Sequence, residues 1–288
     1  MKVDFFIVGA PKAGTTSLYH YLDEHPQIEM SSQKEPDYFT DKALQKQGMY
    51  YGKNRINTLE KYHSLFIEKE GVIYGEGSVS YLFYENAPKD IKKYNPDAKI
   101  IIMLRNPIDR AYSHYLMDYR LGLVNDRFED IVNKNSKHKK ANIFYQQYIE
   151  VSEYANQIKR YFDVFEVDNI LLIDYENFKN SVSETVDTIY SFLDVSTEFC
   201  ANVNKKHNAF SMPKNKIIRF IYSWVLLRNF LNLIFPKSLA KKIRVLFFKN
   251  DKKPRLSVST RQQLNKYFRK DIESLGLLLD KDFTKWIK

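Results

Sequence analysis

The sequence predicts an α/β fold in which a central parallel sheet is flanked by helices. Three observations carry this reading. Residues 5–8, 99–104 and 169–174 are short apolar runs of the kind that form strands covered on both faces. Each run is followed by a segment of helical periodicity, as strand-to-helix crossovers demand. The first run also enters its helix through a glycine-bounded turn, Gly9 to Gly14.

Taken in order, Phe5-Phe6-Ile7-Val8 is a buried strand that stops at Gly9. Residues 15–25 form a helix with Leu18, Tyr21 and Leu22 inward, ended by His25-Pro26. Lys99-Ile100-Ile101-Ile102-Met103-Leu104 is the next strand. Arg105-Asn106-Pro107 follows it, with Asn106 a good N-cap and Pro107 suited to the first helical position, so a helix runs over 107–121. A third strand over 169–174 leads into Tyr175-Glu176, and a helix covers 183–193. From 213 to 250 the pattern becomes helical, apolar and basic, divided by Pro236; we expect an insertion or lid within a single domain spanning 1–288. The last segment, 259–279, carries Leu264, Tyr267, Phe268, Ile272 and Leu275 at helical spacing and should pack back on the sheet.

Composition narrows the function classes. With 288 residues, 44% of them hydrophobic and 15% aromatic, the chain has enough apolar surface to fold, which excludes a disordered or fibrous protein. The single Cys200 forms no intramolecular disulfide or thiolate cluster. Residues 5–8 are too short for a signal peptide, and 217–235 is broken by Arg219, Arg228, Asn229 and Asn232, so no spanning helix is expected. The net charge of +10 is uneven: residues 1–204 hold 24 basic and 30 acidic side chains, residues 205–288 hold 21 and 5. The basic end would attract polyanions such as acidic lipid, anionic polysaccharide or a phosphorylated cofactor, and a solvated basic face explains it as well. No nucleic-acid motif accompanies it, so nucleic acid is not an expected partner. Residues 214–250 are a candidate for peripheral contact with an anionic membrane, through Trp224, Phe230, Phe235 and the lysines around them. The expected location is the cytoplasm.

Gly9-Ala10-Pro11-Lys12-Ala13-Gly14-Thr15-Thr16 sits where a phosphate-binding loop belongs, after the first strand and at the mouth of the first helix. Its glycines have the P-loop spacing, but Thr15 stands where that loop carries lysine, and the lysine is at Lys12. Free N–H groups of residues 13–17, hydroxyls of Thr15, Thr16 and Ser17, and Lys12 would hold a phosphate. Without the usual lysine, and with no clear strand ending in a metal-binding aspartate, ATP with magnesium is poorly supported and no metal is expected.

Pro11-Lys12-Ala13-Gly14-Thr15-Thr16-Ser17 after an apolar strand resembles the 5′-phosphosulfate loop of sulfotransferases that use 3′-phosphoadenosine 5′-phosphosulfate (PAPS). Leu104-Arg105-Asn106-Pro107, with Ser113 eight residues beyond Arg105, is similar to that family's 3′-phosphate motif. Physically, Arg105 is a bidentate phosphate clamp at a strand end and Ser113 lies two turns along the helix. Glu76-Gly77-Ser78 through Tyr81 resembles the Glu-x-Ser-x-x-Tyr segment, with Gly77 where some glycan sulfotransferases have lysine. The resemblance implies that Tyr175 stacks near adenine, although a buried sheet-end tyrosine reads equally well. It also implies that Lys205 and Lys206, in Lys205-Lys206-His207-Asn208, close over the nucleotide. Lys34-Glu35-Pro36-Asp37-Tyr38-Phe39 is similar to the Lys-Glu-x-x-Phe-Phe segment of heparan-sulfate-type enzymes, which implies Glu35 as the base, its backbone held extended by Pro36.

None of the six histidines lies in a segment like the histidine-base segment of phenol and steroid sulfotransferases, His114 being the least clear. A saccharide or glycolipid acceptor is therefore favoured. Tyr38, Phe39, Tyr50, Tyr51, Tyr81, Phe83 and Tyr84 are candidates to line a sugar cleft, and core packing is the competing explanation. Two other functions stay open: a P-loop nucleotide kinase or NTPase, and a non-catalytic polyanion-binding protein.

Overall fold

The computed structural model describes residues 1–48, 51, 55–203, 212–214, 218–219, 248–249 and 253–287. Lys205, Lys206, His207, Tyr50 and most of 213–250 lie outside the described residues. Five strands form one parallel sheet: β1 (Phe5–Gly9), β2 (Ile28–Met30), β3 (Ile73–Gly77), β4 (Lys99–Leu104) and β5 (Ile170–Asp174). Their order is β2-β3-β1-β4-β5, so the expected central parallel sheet is present, with two strands more than the apolar runs announced.

The additional strands have weak local signals. β2 has three residues, and β3, Ile-Tyr-Gly-Glu-Gly, is depleted of strand formers. Position 75 explains the composition of β3: a Cβ there would collide with the ring of Phe5, the fully buried residue with which it is in register. Glycine in this strand makes room for an aromatic ring on its neighbour.

Two compact units contain the chain. The first comprises Met1–Arg110, Glu153–His207 and Phe268–Lys288 and includes the sheet. Helix α1 (Thr15–Asp23) buries Leu18, Tyr21 and Leu22 as expected. The helix Pro107–Leu121 starts where the N-cap predicts: Asn106 Oδ1 accepts from the N–H of Ile108 at 3.0 Å and of Asp109 at 3.3 Å. Beyond β5 a separate short helix, Tyr175–Asn180, precedes the helix Val182–Phe192. The last helix, Val258–Leu279, buries Leu264, Phe268, Ile272 and Leu275. Tyr267 departs from expectation, being 44% exposed, because its position falls outside the apolar stripe.

The second unit comprises Ala111–Ser152 and Asn208–Tyr267. In it Met212–Pro213 pairs antiparallel with Phe248–Lys249, which brings the two ends of the basic segment together. Arg219 stacks on the Tyr119 ring, 4.1 Å from its centroid, and bonds the Asn125 side chain at 2.9 Å. His114 is buried with its Nε2 4.0 Å from Asp118 Oδ2, and the Tyr148 hydroxyl donates to the same oxygen at 2.8 Å. That is a core histidine. Among the described residues no helix is long and apolar enough to cross a membrane.

Candidate active site

The candidate residues of the first unit gather at one edge of the sheet because its strands are parallel. Glu35 follows β2, Ser78 follows β3, the Lys12 loop follows β1, Arg105 follows β4 and Tyr175 follows β5. The chain leaving β1 goes to β2 on one side, and the chain leaving β4 goes to β5 on the other, although β1 and β4 are neighbours. Parallel α/β sheets bind ligands at such a switch point, outside the carboxyl ends of the strands.

At that point the loop after β1 turns through Lys12 (φ 70°) and Gly14 (φ 94°) into α1. Ala10 is tied to the end of β4 by its N–H on the Met103 carbonyl, 2.7 Å. Of the N–H groups expected to be free, those of Ala13 and Ser17 are engaged by the carbonyls of Ala10 and Gly14, at 3.2 and 3.0 Å. The tight turn and the first helical turn take them up. The N–H groups of Gly14, Thr15 and Thr16 donate to no other described residue and remain for an anion at the positive helix end. Thr15 is buried, whereas Lys12, Thr16 and Ser17 are half-buried.

Arg105 completes this corner. Its Nη1 donates to the Lys12 carbonyl at 2.9 Å, and its guanidinium lies 4.5 Å from the centre of the Tyr175 ring. Its Nε is buried and has no partner among the described residues. The Tyr154 hydroxyl donates to the Arg105 carbonyl at 3.0 Å, so the backbone is fixed independently of the side chain. Tyr175 also explains Gly14, where a Cβ would come within 3.2 Å of both Tyr175 and Phe178. Ser113 is half-buried on the helix Pro107–Leu121, within the second unit.

The Glu35 turn follows β2. Pro36 does not hold Glu35 extended: Glu35 has φ 58° and Asp37 φ 55°, both left-handed. The reason is tertiary, since the Glu35 N–H bonds the Gly77 carbonyl at 3.0 Å and the Asp37 N–H bonds Ser78 Oγ at 3.0 Å. Lys34 Nζ lies 2.6 Å from Glu35 Oε1, both side chains partly exposed. Gly77 is buried at the end of β3, facing Tyr19 and Ile7. Three of the candidate sugar-cleft aromatics are taken up by ring packing within the protein. Phe39 packs edge-on with Phe6, Tyr62, Tyr81 and Tyr94, Tyr38 stacks on Tyr62 with centroids 4.7 Å apart, and Tyr81 is fully buried.

The environment of Glu76 is not evident from the motif that contains it. It is fully buried, accepts from Ser78 Oγ at 3.2 Å, and faces the Tyr81 hydroxyl and Asp37. Burial pushes its carboxyl up to about 8, against which the Tyr81 and Ser78 hydrogen bonds pull down and Asp37 pushes further up. The native state therefore keeps this proton between about pH 4.5 and 8, where the unfolded chain has lost it, so stability falls as pH rises through that window. The slope is about 1.4 kcal/mol per pH unit. Asp271 is raised to about 6 by burial and adds a slope of the same sign only below that pH. Glu76→Gln is expected to flatten the loss of stability between pH 6 and 8 relative to the parent, read from denaturant midpoints at each pH.

A glycine loop at a helix N-terminus, an arginine lying on a tyrosine ring and a carboxylate-bearing turn gather at the switch point of a parallel sheet, the place where α/β proteins of this architecture take up ligands. Comparison with known proteins takes this further. The sulfotransferase domain family matches residues 2–276, and the chain belongs to that family. A crystal structure of a sulfotransferase from Alicyclobacillus acidocaldarius covers 100% of both chains at 26% identity, with a TM-score of 0.71. Carbohydrate sulfotransferase 15 of Mus musculus is 25% identical over 243 residues, covering 66% of this chain and 43% of the relative. The bifunctional heparan sulfate N-deacetylase/N-sulfotransferase 1 of Mus musculus is 29% identical over 198 residues, covering 66% and 22%. The chain thus spans less than half the length of these two relatives.

Proposed function

We propose that this chain moves the sulfuryl group of PAPS to a hydroxyl or amine of a carbohydrate acceptor, with Glu35 as the base. The observation that carries the reading is the convergence of the Lys12 loop, the Arg105–Tyr175 pair and the Glu35 turn at the carboxyl edge of one parallel sheet. The buried Nε of Arg105, without a partner among the described residues and beside a helix N-terminus, fits a ligand bearing two separated anionic groups. Bound there, PAPS supplies the sulfuryl group and a phosphate leaving group.

The chain's own residues then have distinct tasks. The N–H groups of Gly14, Thr15 and Thr16, with Lys12, hold the 5′ anion and offset the charge that grows on it during transfer. Arg105 takes the 3′-phosphate, its fork oriented by the Lys12 carbonyl and the Tyr175 ring. The motif spacing assigns Ser113 to the same anion. Tyr175 thus acts by orienting Arg105, whatever it adds against the base. Glu35 accepts the acceptor's proton, and Lys34 holds that carboxylate in place. Carbohydrate is the acceptor class because two of the similar proteins are carbohydrate and heparan sulfate sulfotransferases. We extend the reading to a cytoplasmic location and to Lys205 and Lys206 as nucleotide-closing residues on sequence grounds alone.

Calorimetric titration with 3′-phosphoadenosine 5′-phosphate (PAP), run beside ATP with magnesium, tests the proposal. Selective binding of PAP is expected, because Thr15 occupies the position of the lysine that a P-loop kinase uses on ATP. Preference for ATP would transfer the reading to a kinase or NTPase, and binding of neither to a polyanion-binding protein.

A further inference from the structure

Glu35 stands on a turn that does not hold its own shape. Two residues with side chains, Glu35 and Asp37, are left-handed on either side of Pro36, a backbone arrangement that a free loop would abandon. Bonds to the last residue of β3 and to the segment after it retain it. The Glu35 N–H is taken by the Gly77 carbonyl, and the Asp37 N–H by Ser78 Oγ. Ser80 Oγ donates to Asp37 Oδ1 at 2.7 Å and lies 2.7 Å from Thr40 Oγ1.

Ser78 is the joint of this arrangement. Its hydroxyl has one proton, which it gives to Glu76 Oε2 at 3.2 Å, and that donation turns a lone pair toward the Asp37 N–H. Ser78 and Glu76 are fully buried and Asp37 and Thr40 nearly so, so water cannot replace the bond if the hydroxyl is removed. The base turn is thereby fastened to a strand next to the one that carries the anion loop.

We propose that Ser78, held by Glu76 and assisted by Asp37 and Ser80, is a positioning residue for Glu35, fixing the carboxylate relative to the acceptor without touching it. The inference rests on the reading of Glu35 as the base. Proton transfer is sensitive to displacements near 1 Å, so loosening this turn should lower turnover while leaving the nucleotide corner, built from β1, β4 and β5, intact.

The test compares the full chain with Ser78→Ala, Ser78→Thr and each in a Glu35→Gln background. Hydrogen exchange of 33–41 by mass spectrometry, PAP affinity by calorimetry, and PAP release from PAPS with chemically desulfated heparin as acceptor are the readouts. Ser78→Ala is expected to speed exchange of 33–41 by about 10-fold or more and to lower kcat by about 10- to 100-fold. PAP affinity and the KM for PAPS should stay within about 2-fold, Ser78→Thr should restore both lost properties, and Ser78→Ala should change nothing further in Glu35→Gln. Unchanged exchange of 33–41 in Ser78→Ala overturns the proposal. So does an equal loss of turnover with and without Glu35, because Ser78 would then act by another route. Full turnover in Glu35→Gln alone would instead overturn the base assignment, and the exchange result would still decide whether Ser78 fastens the turn.

Discussion

Arg105→Ala is expected to weaken PAP binding by about 30- to 1000-fold, equivalent to about 2–4 kcal/mol, the range for truncating one partner of a hydrogen-bonded charge pair. Two features point to a large effect, and a third to an intact fold. The guanidinium is oriented by the Lys12 carbonyl and by the Tyr175 face, so little freedom remains to be lost on binding. Its Nε is already buried without a partner, so an arriving phosphate oxygen gains a donor that has no competing acceptor among the described residues. The bond from Tyr154 goes to the Arg105 carbonyl, which alanine retains, so the fold should survive. Arg105→Lys keeps the charge but loses the fork and the stack, and should fall between alanine and the parent. Calorimetry against PAP, with thermal melting as the control for folding, checks the series; PAP affinity in Arg105→Ala within about 2-fold of the parent would remove Arg105 from the nucleotide site.

Glu35→Gln is expected to lower turnover with PAPS and a desulfated polysaccharide by about 10²- to 10⁴-fold, the usual contribution of a general base. The substitution is isosteric and leaves the backbone bond to Gly77 in place. Its ion pair with Lys34 is partly exposed, and such pairs contribute about 0–1 kcal/mol, so the melting temperature should hardly move. PAP affinity should stay within about 2-fold, because the nucleotide corner uses other strands. A fall in turnover without a fall in affinity would separate an enzyme from a polyanion-binding protein, whereas retained turnover would send the search for the base elsewhere on the sheet edge.

The two halves of this site were unequally legible. The Lys12 loop and the start of the helix Pro107–Leu121 are written locally: glycines that permit a turn, an asparagine that caps, a proline at the first helical position. The backbone of Glu35 departs from the extended conformation that the local rule for a residue before proline predicts, because contacts with Gly77 and Ser78, more than 40 residues away, set φ at 58°. Tyr175 was ambiguous for a related reason. A tyrosine at a strand end serves equally as core or as ligand contact, and no local pattern announces that the Arg105 guanidinium lies on its ring. Ser17 and Ala13 looked like anion donors because the sequence does not reveal that the turn itself uses their N–H groups.

The parallel α/β class, the apolar strands β1 and β4, the glycine loop after β1 and the arginine after β4 are legible in the chain's local pattern, because hydrophobic runs, turn chemistry and capping act over a few residues. Long-range packing makes strands of Ile28–Met30 and the glycine-rich Ile73–Gly77, sets β1 beside β4 at the switch point, and brings Ser78 and the buried Glu76 to the Glu35 turn. The difference lies in the range of the interactions. Strand pairing, the room Gly75 leaves for Phe5 and the satisfaction of a buried N–H all depend on partners tens of residues apart, and no local pattern encodes which partner arrives.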